Sequence, residues 1–144
     1  MLQPLVYSKF QLVNPDDAAL EAAPLEPYPF IPSSKFRIVT LMSEPAVQVV
    51  YEDWFKDNDV EWVYWLDTFH IVISGSAEIT YWDPPDWNDE QTVVASPGSM
   101  YLAPRGSRVK WHITSEEPFR HVVLDIPNGG YTTKDMAEAS VHGE

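Results

Sequence analysis

Phe69-His70-Ile71-Val72-Ile73-Ser74-Gly75-Ser76-Ala77-Glu78-Ile79-Thr80-Tyr81-Trp82 is the stretch on which the fold class turns. Its second half alternates, with Ala77, Ile79 and Tyr81 on one face and Glu78, Thr80 and Trp82 on the other, which is the period of a half-buried strand. Its first half, 69–74, is apolar on both faces, so both faces need cover. The same kind of short β-branched and aromatic run recurs at 37–42, 47–54, 60–66, 92–95, 100–103, 109–114 and 119–126. In 109–114 the alternation is again clean, Val109, Trp111 and Ile113 against Arg108, Lys110 and His112. Nine candidate strands are separated by turn signals such as Asp83-Pro84-Pro85-Asp86, Pro97-Gly98 and Pro104-Arg105-Gly106, and together they read as an all-β sandwich or barrel.

The 144 residues make one domain, and 44% hydrophobic content with 13% aromatic content supplies a core. With no Cys, disulfides, thiolate nucleophiles and Cys-based metal sites are all excluded. A net charge of −13 speaks against nucleic acid as a partner, because phosphate binding needs clustered Lys and Arg. The sequence MLQPLVYSKF has neither the basic start nor the apolar run of a signal peptide, and no window is apolar enough to span a membrane, so a cytoplasmic protein without membrane contact is expected. Six of the 13 prolines fall in residues 1–33, which are expected to form an extended Pro-rich N-terminal arm with at most a short helical turn over 18–23. The barrel is expected over 34–128, followed by a polar tail over 129–144.

Gly98, Pro104 and Gly106 stand at the spacing glycine, five residues, proline, one residue, glycine, and the first stretch supplies a strand, Gly75 and a second strand. These motifs, with Trp111, resemble the cupin superfamily (RmlC-like), in particular the small single-domain group that includes the ethanolamine-utilisation protein Q; the resemblance spans about residues 35–127. It implies a jelly-roll β-barrel with an internal cavity. In metal-binding cupins the first motif supplies two His separated by one residue and a Glu seven residues before the glycine. A third His follows the last glycine of the second motif by three residues. Here those positions hold Glu61, Val63, Thr68 and Val109, of which only Glu61 is a ligand, so no metal site and no other cofactor is expected. The alternative is a divalent metal held by Glu61, His70 and an unaligned group such as His121.

In the register implied by the resemblance, Thr68, His70 and Val72 point inward, as do Glu61, Val63 and Trp65 from the preceding strand. His70 is then the candidate general acid/base, against the plainer reading of a core histidine. Glu61 is the second catalytic candidate, against a rim charge, and Tyr51 the third. Tyr51 and Asp53 would share the face Val47, Val49, Tyr51, Asp53 and add a hydroxyl and a carboxylate to the cavity; the plainer reading of Asp53 is a surface charge. Trp65, Tyr81, Met100 and Trp111, with Thr68 and Asp53, are the expected substrate-binding lining. His112 reads as exterior, His121 as a reserve candidate and His142 as part of the tail. Trp54, Trp62, Trp82 and Trp87 read as outward-facing, hence covered by the arm or by a second subunit of a homodimer. Acidic clusters, Glu52-Asp53, Asp57-Asn58-Asp59, 83–90 and Glu116-Glu117, read as solvated loops, and Asp57-Asn58-Asp59 is too short for a calcium loop.

The function expected is metal-independent acid/base chemistry of isomerase, dehydratase, cyclase or lyase type, on a small aromatic, polyketide-like or carboxylate-bearing molecule. Two alternatives stand beside it: a non-catalytic small-molecule-binding or assembly module, and a metal-dependent cupin with unusual ligands.

Overall fold

The computed structural model describes residues 9–28, 31–56 and 58–127. A short helix α1 (Asp17–Ala22) and a three-residue strand β1 (Glu26–Tyr28) lead into β2 (Ile31–Ser43) and β3 (Gln48–Trp54). There follow β4 (Asp59–Val63), β5 (Asp67–Ser74), β6 (Ala77–Trp82), β7 (Glu90–Ala95), β8 (Met100–Ala103), β9 (Arg108–Ile113) and β10 (Phe119–Ile126). All pairings are antiparallel, in a six-stranded sheet ordered β1-β2-β3-β10-β5-β8 and a four-stranded sheet ordered β4-β9-β6-β7. The protein is therefore all-β, as its sequence indicates, and each of the nine expected strands has its counterpart. β1 is an addition: three residues centred on Pro27 carry no alternation, and proline is tolerated there because β1 is a sheet edge. The expected tail, with His142, lies outside the described residues.

The main core fills the space between the sheets. Val72 from β5, Ala77 and Ile79 from β6, Val109, Trp111 and Ile113 from β9 and Phe119 from β10 meet there. Gly75 lets β5 and β6 reverse tightly; its φ is +78°, and a Cβ would stand 2.3 Å from the Pro118 carbonyl oxygen. No side chain fits that approach.

A second apolar cluster lies on the outer face of the six-stranded sheet, where Leu20 of α1 packs among Val49, Tyr51 and Val122. Asp16 starts this helix by accepting hydrogen bonds from the backbone N–H groups of Ala18 (3.0 Å) and Ala19 (3.2 Å). Full burial of Leu20 stabilises the contact by about 2 kcal/mol. Ions seal the same layer. Asp53, with no exposed surface, accepts from Arg120 at 2.7 and 2.9 Å and from Arg37 at 2.7 Å. Arg120 also reaches Asp17 and Glu21 of α1, each at 3.3 Å. The outer face of the six-stranded sheet is thus covered over β2, β3 and β10, and the site lies on its inner face.

Candidate functional site

Because β3, β10, β5 and β8 are neighbours in register, their inward residues form rows across the sheet. Gln48, Asp125, Thr68 and Ala103 make one row, and Val50, Val123, His70 and Tyr101 the next. Glu52, His121 and Val72 follow, then Trp54 and Phe119. Facing them from the other sheet are Val60 and Trp62 of β4 and Trp111 and Ile113 of β9. Between the two lies a cavity of about 380 Å³. Seven of the residues around it are aromatic, and Trp65, 76% exposed, stands at its rim.

Two polar clusters face this cavity. Glu52 Oε1 lies 2.8 Å from His121 Nε2, with the His121 side chain 5% exposed and that of Glu52 16% exposed. His121 Nδ1 is buried and has no hydrogen-bonding partner among the described residues. Beside this pair, His70 is stacked on Tyr101 with ring centroids 4.3 Å apart, and its Nε2 lies 3.1 Å from the Tyr64 hydroxyl. The two imidazoles are 5.4 Å apart, centroid to centroid. Burial, followed by the neighbouring His121, holds the His70 pKa well below 6.5, so this ring is neutral. Burial also pushes Tyr64 well above the usual tyrosine range. Near the mouth, Thr68 Oγ1 donates to Asp125 Oδ1 at 3.2 Å, and burial raises the Asp125 pKa. A neutral His70, a carboxylate-paired His121 and two carboxylates in an aromatic enclosure can exchange protons with a bound molecule.

Of the residues singled out from sequence, His70, Thr68, Trp65 and Trp111 line the cavity. Tyr51 and Asp53 do not. β3 runs in the opposite phase to that expected, so Gln48, Val50, Glu52 and Trp54 face inward, while Tyr51 donates to Asp17 of α1 at 2.5 Å and Asp53 sits in its ion cluster. A strand covered on both faces carries no alternation to fix its phase, and one residue of shift exchanges every side chain. Glu61 is likewise on the outer face, half exposed and paired with Arg108 at 2.7 Å, because Val60 and Trp62 are the inward residues of β4. Tyr81 and Met100 line a different cavity, formed with Ile79, Val93 and Leu102, and Met100 is 64% exposed.

Trp54 and Trp62, expected outside, line the cavity; Trp82 is covered by the Arg108 guanidinium at 4.5 Å, and Trp87 donates to the Gly106 carbonyl at 2.8 Å. Glu52, expected in a solvated acidic cluster, faces the cavity instead, together with Tyr64 and Asp125, to which the sequence assigns no role, and His121, the reserve candidate. One signal lies in the sequence: Arg37, Asp53 and Arg120 are opposite charges on three of the strands, and placing them on a common face turns Glu52 and His121 inward.

The positions at which cupin metal ligands are expected do not fit a metal. Thr68 and Val109 face inward there, Glu61 and Val63 face outward, and the inward residues beside them are Trp62 and Tyr64. The alternative set also fails to assemble, since Glu61 is outside while His70 and His121 are inside. Among the described residues no three His, Asp or Glu side chains converge as a ligand set.

No protein-family model matches the chain, and no curated protein matches it in sequence. Solved structures do. A cupin superfamily protein from Desulfitobacterium hafniense DCB-2 aligns with a TM-score of 0.53 at 18% identity, over 65% of this chain and 78% of the other. The Clostridium difficile EutQ protein aligns with a TM-score of 0.53 at 21% identity, over 68% and 72%. A Rhizobium leguminosarum bv. viciae 3841 protein of unknown function aligns with a TM-score of 0.61 at 19% identity, over 84% and 100%. The two-sheet architecture with its inner cavity is the cupin fold. Within that fold, the chain resembles EutQ.

Proposed function

We propose that this protein is a small enzyme that moves protons on a molecule enclosed in the cavity, by isomerisation, dehydration, cyclisation or elimination, without a metal. The observation that carries this reading is the Glu52–His121 pair facing an aromatic enclosure. His121, oriented by Glu52, is the acid/base group in place of the expected Glu61 and Tyr51. His70, kept neutral by burial and held by Tyr64, is the second group that can accept or return a proton. Trp62, Trp65 and Trp111 supply flat apolar walls, which favour a ring or a planar conjugated system. In the same proposal the working unit is a cytoplasmic homodimer. Its support shifts from the tryptophans to Val93, Val94, Met100 and Leu102, which are exposed on the edge strands β7 and β8. No helix among the described residues is long and apolar enough to cross a membrane.

The test is incubation in D₂O with a panel of small cyclic ketones, enols and hydroxy compounds, followed by NMR for deuterium uptake or product. Glu52→Gln and His121→Asn are expected to slow the reaction by about 10²–10⁴-fold while melting normally. Full activity in both variants would refute the assignment. Binding of panel members with no exchange or turnover would point instead to a binding module.

A further inference from the structure

The charges around the cavity are one-sided. Two carboxylates, Glu52 and Asp125, face it, and among the described residues no Lys or Arg does. The arginines nearest in sequence to the lining, Arg37 and Arg120, are turned to the opposite face of the sheet and committed to Asp53 there. The His121 ring is committed to Glu52 at 2.8 Å, which leaves Asp125 without a cationic side chain beside it among the described residues that line the cavity. Asp125 accepts from the neutral Thr68 hydroxyl at 3.2 Å. Burial, and then the charge of Glu52, raise the Asp125 pKa against the lowering by Thr68, as befits a carboxyl in a negative, partly dry place. The rest of the wall is rich in aromatic residues, whose ring faces carry negative quadrupoles that attract cations.

We infer that the cavity selects a small organic cation, an amine or quaternary ammonium on an apolar or aromatic body, with Asp125 as its counter-ion and the ring faces of Trp62 and Trp65 as its flanks. This rests on the reading of the cavity as the ligand site and adds the chemical class of the ligand. A carboxylate-bearing ligand, one of the expectations from sequence, meets two like charges and no cationic side chain among the described residues. A neutral ligand meets the same walls without the ion pair. The protein's net charge of −13 acts in the same direction by drawing cations toward the surface.

The experiment is a matched series on the full chain: 3-phenylpropylamine, 3-phenylpropanol and 3-phenylpropionate, titrated by tryptophan fluorescence and by the imidazole NMR signals of His121. The amine is expected to bind about tenfold or more tighter than the alcohol, and the propionate weakest of the three. Asp125→Asn, nearly the same size, should bring amine and alcohol within about twofold of each other while the affinity of the alcohol stays as it was. Equal or tighter binding of the propionate, or an amine preference that survives Asp125→Asn, overturns the inference. If the alcohol shifts the His121 signals and the amine gains nothing, the charge class falls and the cavity reading stands. If none of the three shifts those signals, both fall.

Discussion

Glu52 and His121 face each other directly across the β3–β10 ladder, with 2.8 Å between Oε1 and Nε2. A carboxylate only accepts, so a hydrogen stands on Nε2, while the buried Nδ1 has no hydrogen-bonding partner among the described residues. Nitrogen-15 NMR of the imidazole is therefore expected to show one tautomer, protonated at Nε2, and Glu52→Ala should yield a mixture. A wild-type ring protonated at Nδ1 alone contradicts the arrangement.

Burial keeps His70 neutral in the folded chain, whereas in the unfolded chain it gains a proton near pH 6.5. Below that pH the unfolded state binds the extra proton, so stability falls as pH falls, with a limiting slope of about 1.4 kcal/mol per pH unit for one group. Urea unfolding at pH 7.5, 6.0 and 5.0 reads this slope. His70→Gln should flatten it; an unchanged slope in that variant assigns the effect elsewhere.

Tyr28, Tyr51, Tyr64 and Tyr101 are all raised above pH 10, Tyr28 to about 12, with burial as the first cause in each. Above pH 10 the unfolded chain loses phenolic protons that the folded chain keeps, so stability falls as pH rises through that window. Absorbance at alkaline pH is expected to show these tyrosines ionising together with loss of the folded circular dichroism. Smooth independent titration of all the tyrosines in a folded protein would contradict it.

Asp53, which has no exposed surface, holds two arginines, and removing one partner of such a cluster leaves charge uncompensated. Asp53→Ala is expected to cost about 3–5 kcal/mol in chemical denaturation. A loss below about 1 kcal/mol would place the cluster with ordinary surface ion pairs.

The strands of the second half were legible because Glu78, Thr80, Arg108 and Lys110 mark the solvent face and leave one choice for the inward set; the inward positions of β6 and β9 follow from them. β5 carries no such marks, and its phase came from the glycine and proline spacing of the cupin resemblance. β3 and β4 lacked both aids. β3 is covered outside by α1, whose single buried residue, Leu20, is not marked as an anchor by anything in the sequence. In β4, Trp62 and Val63 are equally apolar, and the choice between them is made by tertiary packing. Of the cavity lining, His70 and Thr68 follow from the glycine and proline spacing and Trp111 from the marks on β9, whereas Glu61, Tyr51 and Asp53 stand on outer faces and Tyr64, Glu52 and Asp125 line the cavity instead.

The rows of inward residues also act as a ruler. Asp125 and His121 stand on the same strand four residues apart, with the Val123 row between them, so about 14 Å of backbone separates the Asp125 carboxylate from the Glu52–His121 pair. Under the proposed reading, a ligand anchored at one and reacting at the other has its length set by that interval. Val50 and Val123, opposite each other on the middle rung, are where a change of side-chain size would shift the measure without altering either end.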